Sequence, residues 1–197
     1  MGPRFSVALA FASELHGDQS RKGTPIPYIA HLLAVTALVI ETGADEDTAI
    51  AALLHDAVED QGGRPTLERI RARFGQQVAD IVESCSDADV TPKPDWRPRK
   101  EAYVAAIAHK SPSALLVSLA DKVHNAGAIL DDYQLVGEEI WSRFKGGRDG
   151  TLWYYRALVE AFRDRGQKTL WQRLEHTVCA LEARARVNVA QPSGASH

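Results

Sequence analysis

The sequence predicts an all-α protein folded as one domain, a bundle of about eight to ten helices. Three observations carry that expectation. Strand signals are poor, because Ala, Leu, Glu and Arg dominate while alternating Val/Ile/Thr runs are short. Apolar residues recur at helical spacing in segment after segment, with glycines, prolines and capping residues between the segments. The chain has 197 residues and is 45% hydrophobic, enough for one ordinary domain with a real core, and no internal repeat is visible.

Taken in order, apolar spacing predicts a first helix over Phe5 to His16, followed by a polar loop from Gly17 to Pro27 that Pro and Gly punctuate. A second helix covers Ala30 to Thr42, with Gly43 as its stop and Asp45 as the cap of the third. The third ends in "AALLHDAVED", residues 51–60, and Gly62, Gly63 and Pro65 break it. Thr66 caps a short helix reaching Phe74, and Gly75 separates it from another over Gln76 to Cys85. The stretch "SDADVTPKPDWRPRK" has three prolines and mixed charge, which predicts a long surface loop. Further helices are expected over Lys100 to His109, Pro112 to Asp132, Gly150 to Arg165 and Lys168 to Arg186. The domain is expected to span residues 1–187, and the small, polar residues 188–197 a disordered tail.

A net charge of -3 argues against a general nucleic-acid binder, which needs a broad basic face, so an anionic ligand must find a local basic cluster. Cys85 and Cys179 are far apart, and no apolar stretch has membrane length. The expected location is therefore the cytoplasm, with no membrane partner; oligomeric state is open.

On a helix turning about 100° per residue, His55, Asp56, Glu59 and Asp60 share an arc of roughly 140°, opposite Ile50, Leu53, Leu54, Ala57 and Val58. Three carboxylates beside one imidazole conflict if buried alone, and a divalent cation removes the conflict. "LLVSLADKVHNAGAIL" repeats the design, with Ser118, Asp121, Lys122 and Asn125 on the polar arc. With His31 opening a helix, a His/His/Asp/Asp set can be assembled from three helices. Mixed imidazole and carboxylate donors suit Mn²⁺ or another first-row ion better than sulfur-rich structural zinc sites do. The other histidines, His16, His109, His124 and His176, read as surface or hydrogen-bonded residues.

"HGDQSRKGTPIPYIAHLLAV", "AALLHDAVED" and "SLADKVHN", in that order, resemble the metal-dependent HD-domain hydrolases of the RelA/SpoT type, and the length resembles their stand-alone members. The resemblance covers about residues 5–165. It implies His31, His55, Asp56 and Asp121 as Mn²⁺ ligands, and Glu59 and Asp60 as the acidic pair that orients and deprotonates water. It also implies Arg21 and Lys22 as contacts to the nucleotide base and phosphates, with Asn125 near the reacting group. The implied reaction releases pyrophosphate from the 3′-diphosphate of guanosine tetra- or pentaphosphate, a small-molecule nucleotide. Lys93, Arg97, Arg99 and Lys100 on the long loop, with Lys145 and Arg148, are candidate clamps for the outer phosphates.

Two departures bear on the base. After Asn125 the family continues with a large apolar residue and an arginine, whereas Ala126 and Gly127 stand here, and "WSRFKGGRDGTLWYYRALVEAF" differs from the bifunctional enzymes. An adenosine analogue of the ppApp class is therefore open beside guanosine. The competing readings are another HD phosphohydrolase, such as a nucleotidase or an NADPH phosphatase, and a non-catalytic nucleotide-sensing module.

Overall fold

A computed structural model describes residues 1–86 and 95–190, and all of its extended elements among these residues are helical. The α-helices are α1 (Pro3–Leu15), α2 (Ile29–Glu41), α3 (Glu46–Leu54), α4 (Ala57–Asp60), α5 (Arg64–Phe74), α6 (Gln76–Cys85), α7 (Trp96–Ala106), α8 (Pro112–Val136), α9 (Gly147–Phe162) and α10 (Lys168–Ala190). A single 3₁₀ turn, Ile107–His109, lies between α7 and α8, and a longer 3₁₀ helix, Gly137–Arg143, between α8 and α9. Residues 191–197 of the expected tail lie outside the described residues.

The bundle is organised around α3 and α8. Every residue of α3 from Thr48 to Leu54 is buried, because α1, α2 and α6 pack against it on different sides. A helix with no solvent face needs apolar or small side chains all round, and "TAIAALL" supplies them. The 25-residue α8 touches α2, α3, α6 and α10, and its middle buries Val117, Leu119, Ala120, Val123 and Ala126 together with Ser118 and Asp121. Polar residues at the centre of such a helix require partners, which the site below supplies.

Two expectations from the sequence need correction. Residues 51–60 do not form one helix: α3 stops at Leu54, and Asp56 takes φ −96°, ψ −4° before α4 begins. Adjacent residues on a regular helix point about 100° apart, so this break lets His55 and Asp56 aim at the same place. The helix expected from Lys100 also begins earlier, at Trp96. Asp95, extended at ψ 149°, starts α7 at Trp96, and the Trp96 ring seats against the backbone of Gly146 and Gly150, where a β-carbon on Gly146 would come within 2.6 Å of it. Arg97 and Lys100 therefore sit on a helix. Lys93 lies outside the described residues.

The cap of α3 holds as expected, with the Asp45 carboxylate accepting from the Thr48 amide at 2.8 Å. That bond lowers the Asp45 pKa, so its contribution is fully present above the unfolded value of about 4 and is lost as pH falls through the lower folded value. Asp45→Ala should cost about 1 kcal/mol at neutral pH, and in denaturant titrations the gap from wild type should narrow as pH falls below the unfolded value and through the lower folded one. A gap that is constant with pH would show that the carboxylate is not the cap.

Candidate metal centre

Three chain segments deliver the ligand-type side chains. α2 contributes His31 from its first turn, the break after α3 contributes His55 and Asp56, and the buried middle of α8 contributes Asp121. One donor atom from each of His31, His55 and Asp56 falls within 4.8 Å of the others. His31 Nε2 lies 3.4 Å from Asp56 Oδ2 and 3.2 Å from Asp121 Oδ1; His55 Nε2 lies 3.0 Å and 3.7 Å from the same two oxygens. Both imidazoles are buried, at 1% and 3% exposure.

The donor set fits a divalent cation. Donors held about 2.1 Å from an ion stand about 3.0 Å apart in octahedral geometry and about 3.4 Å apart in tetrahedral geometry. Three of these four separations fall in that range, and His55 to Asp121, at 3.7 Å, lies just beyond it. His55 Nε2 is buried yet makes no well-formed hydrogen bond, while its Nδ1 donates to the Ala52 carbonyl at 2.8 Å. That bond keeps a proton on Nδ1, so Nε2 is the nitrogen that can give up its proton and offer a lone pair to a ligand. His31 is set the same way: its Nδ1 is 2.8 Å from Nδ1 of His124, whose pKa burial pushes down to about 4. His124 is therefore neutral near pH 7 and can accept the His31 Nδ1 proton.

Burial opposes charge on His55, Asp56 and Asp121, but their neighbours overrule it. Asp56 is held well below the usual carboxylate range by His55 and His31, and Asp121 by Lys122 and the two histidines. His55 is correspondingly held well above an ordinary histidine by Asp56 and Asp121. Two buried carboxylates thus demand positive charge between them, and a metal ion competes with the imidazole proton for that place.

A second layer holds the carboxylates, and much of it went unnoticed in the sequence. The Tyr28 hydroxyl donates to Asp56 Oδ2 at 2.6 Å, and burial against that anion raises the phenol pKa far above its ordinary value. Lys122 Nζ meets Asp121 Oδ2 at 2.6 Å while resting over the Tyr103 ring. Asn125 donates to Asp121 Oδ1 at 2.5 Å and accepts from Arg21 at 2.9 Å, so the loop arginine is tied to the buried aspartate through one amide. The loop is shaped for this. Arg21 and Ile26 bond across a turn at Gly23, φ +75°, and Tyr28 N–H closes on the Gln19 carbonyl, bringing Gln19, Arg21 and Tyr28 to one side.

Glu59 and Asp60 lie in the single turn of α4, directly after Asp56. Desolvation, with Asp56 and Glu59 nearby, raises the Asp60 pKa despite a hydrogen bond from Gln19 at 2.8 Å. Lys22 is exposed on the loop and Lys145 in the turn before α9. Arg148 donates to the Ala185 carbonyl and lines a shallow groove of about 430 Å³ with Trp153, Arg156, Glu182 and Arg186, a wall that includes none of the four ligand-type residues. Arg97 lies 3.3 Å from the centre of the Trp153 ring and pairs with Glu101, while Lys100 stands over Tyr154. His16 and His124 were expected at the surface or satisfied: His16 is 2% exposed with an unpaired Nε2, and His124 partners His31. Their only sequence signal was proximity to "SRKG" and "ADK".

A family model described as "HD domain" matches residues 8–152. The chain is 41% identical over 138 residues to a Xenopus tropicalis protein named guanosine-3′,5′-bis(diphosphate) 3′-pyrophosphohydrolase MESH1, covering 68% of this chain and 72% of that one. Its human namesake is 38% identical over 143 residues, covering 70% and 74%. The bifunctional (p)ppGpp synthase/hydrolase SpoT of Escherichia coli is 34% identical over 128 residues, 62% of this chain but only 17% of that much longer one. A solved structure described as a metazoan orthologue of SpoT that hydrolyses ppGpp superposes with a TM-score of 0.74 at 27% identity, covering 90% of this chain and 94% of that one.

If Asp121 completes the donor set, Asp121→Ala should purify with less than about a tenth of the wild-type divalent metal by elemental analysis. A chelator should lower the melting temperature of the wild type and leave that of the variant where it is. Equal metal content in both proteins would exclude Asp121 as a ligand.

Proposed function

This chain belongs to the HD-domain family, and from that premise we propose that it is a metal-dependent 3′-pyrophosphohydrolase of (p)ppGpp or a closely related alarmone. The observation that carries the reading is the convergence of two imidazoles and two carboxylates from α2, the α3–α4 break and α8, with an acidic pair one turn further on. The family resemblance of its stand-alone relatives supports the substrate. Water adds to the phosphorus attached at the 3′ oxygen, the bond to that oxygen breaks, and the nucleoside 5′-di- or triphosphate and pyrophosphate leave.

His31, His55, Asp56 and Asp121 would hold the cation, and the nitrogen and oxygen donors suit Mn²⁺. When bound, such an ion makes water nucleophilic near neutral pH and offsets charge on the departing diphosphate. The chain's own residues supply the rest. Glu59 and Asp60 accept and return protons, the raised Asp60 pKa keeping it a usable base. Arg21, held by Asn125, and Lys22 on the same loop bring positive charge to a polyanion entering an acidic protein. Lys93, Lys145 and Arg148 remain candidate outer clamps, Arg148 being the weakest because the Ala185 carbonyl already engages it.

The base is the least constrained feature. A β-carbon on Gly127 would meet nothing within 4 Å, so α8 is open at the position where the family resemblance implies an arginine. That opening favours testing adenosine as well as guanosine substrates.

The reading is tested by incubating the protein and Mn²⁺ with guanosine and adenosine 3′-diphosphate nucleotides and with NADPH. Pyrophosphate and a 5′-phosphorylated nucleoside are expected; orthophosphate alone would point to a phosphatase, and no turnover to a binding module. Glu59→Gln should lower kcat by about 10²-fold or more with unchanged metal content. Full turnover by that variant would remove Glu59 from the proton transfer.

A further inference from the structure

The buried end of α1 holds a polar chain that the metal centre does not explain. His16, 2% exposed, lies against Tyr28 with ring centres 5.4 Å apart and planes 19° from parallel. Its Nδ1 is 2.7 Å from Gln19 Oε1, and its Nε2 is buried without a partner. Gln19 Oε1 also accepts from Gln61 Nε2 at 2.6 Å, and Gln19 Nε2 donates to Asp60 Oδ2 at 2.8 Å.

With the Gln61 amide oriented as it is and Asp60 ionised, these bonds admit one assignment of hydrogens. Gln61 Nε2 can only donate, so Gln19 Oε1 is an acceptor and His16 Nδ1 must carry its proton toward it. Nε2 is buried without a partner, so Nδ1 is the nitrogen through which the ring joins this network. With both lone pairs of Oε1 occupied, the Gln19 amide cannot turn over without setting its NH₂ group against two other donors. Its Nε2–H is therefore locked on Asp60.

We propose that His16 and Gln19 are positioning residues: His16 fixes the Gln19 amide, and Gln19 holds the Asp60 carboxylate in one orientation beside the metal centre. This rests on the proposed hydrolase for its kinetic consequence, though not for its structural one. The backbone explains why these residues meet. Gln19 N–H bonds the His16 carbonyl, and the Gln19 carbonyl takes the Tyr28 amide, so the loop that carries Arg21 also carries the amide that reaches α4.

The test separates the donor from the ring. His16→Asn keeps an N–H near the Nδ1 position, and His16→Phe keeps a ring against Tyr28 with no donor. His16→Phe and Gln19→Leu should each lower kcat about tenfold or more with KM within about twofold, and the double variant should fall no further than either alone. His16→Asn should stay within about threefold of wild type. An equal loss in the Asn and Phe variants, or an additive double variant, would overturn the proposal.

A second measurement needs no substrate. In metal-free protein followed by carboxyl ¹³C NMR, Gln19→Leu should raise the Asp60 titration midpoint, because the lost N–H favoured the charged form. The charged and titratable groups facing Asp60 are Asp56 and Glu59 from its own segment, His16 just after α1 and Tyr28 just before α2, and all four remain in that variant. An unmoved midpoint would contradict the proposal even if every nucleotide is cleaved. A raised midpoint with no nucleotide cleaved would sustain it and sink the hydrolase reading instead.

Discussion

A buried carboxylate, Asp121, and a half-buried one, Asp56, placed beside two buried imidazoles, set the terms for this structure. Asp121 is 6% exposed in the middle of α8, between the buried Ala120 and Val123, and Asp56 stands beside the same two histidines. Like charges at that spacing in a low-dielectric interior repel strongly unless something positive stands between them. The fold brings three segments together at the one place where that condition must be met. Most of the bundle's geometry, from the fully buried α3 to the long α8, follows from delivering those segments.

Around the donors, nearly every polar contact points inward at a carboxylate. Tyr28 and Lys122 each bind one oxygen of Asp56 or Asp121, and Asn125 links Asp121 to Arg21. Such partners fix the direction of a ligand's lone pairs and are costly to lose. They also connect chemistry to recognition: the loop holding Arg21 holds Gln19 and Tyr28 as well, so a substrate that displaces the loop would feel the metal centre.

The sequence made the helical class and the donor residues legible because both depend on short-range spacing. "HD..ED" and "ADK.HN" expose their polar residues on one arc, and Asp45 precedes its helix with the spacing a cap needs. What spacing alone could not reveal were features set by contacts far along the chain. The break at Asp56 leaves the helical pattern of "AALLHDAVED" intact to the eye, since it changes two dihedral angles and no residue type. His124 joins His31 across 93 residues, and Gln19 reaches Asp60 across 41. The α7 start at Trp96 depends on two glycines some fifty residues later, so three prolines read locally as a loop.

The most direct measurement of the central claim is anomalous diffraction from a crystal soaked in Mn²⁺. One strong peak is expected about 2.0–2.3 Å from His31 Nε2, His55 Nε2 and an oxygen of each of Asp56 and Asp121. A strong peak elsewhere, with these four side chains free of metal, would contradict the account.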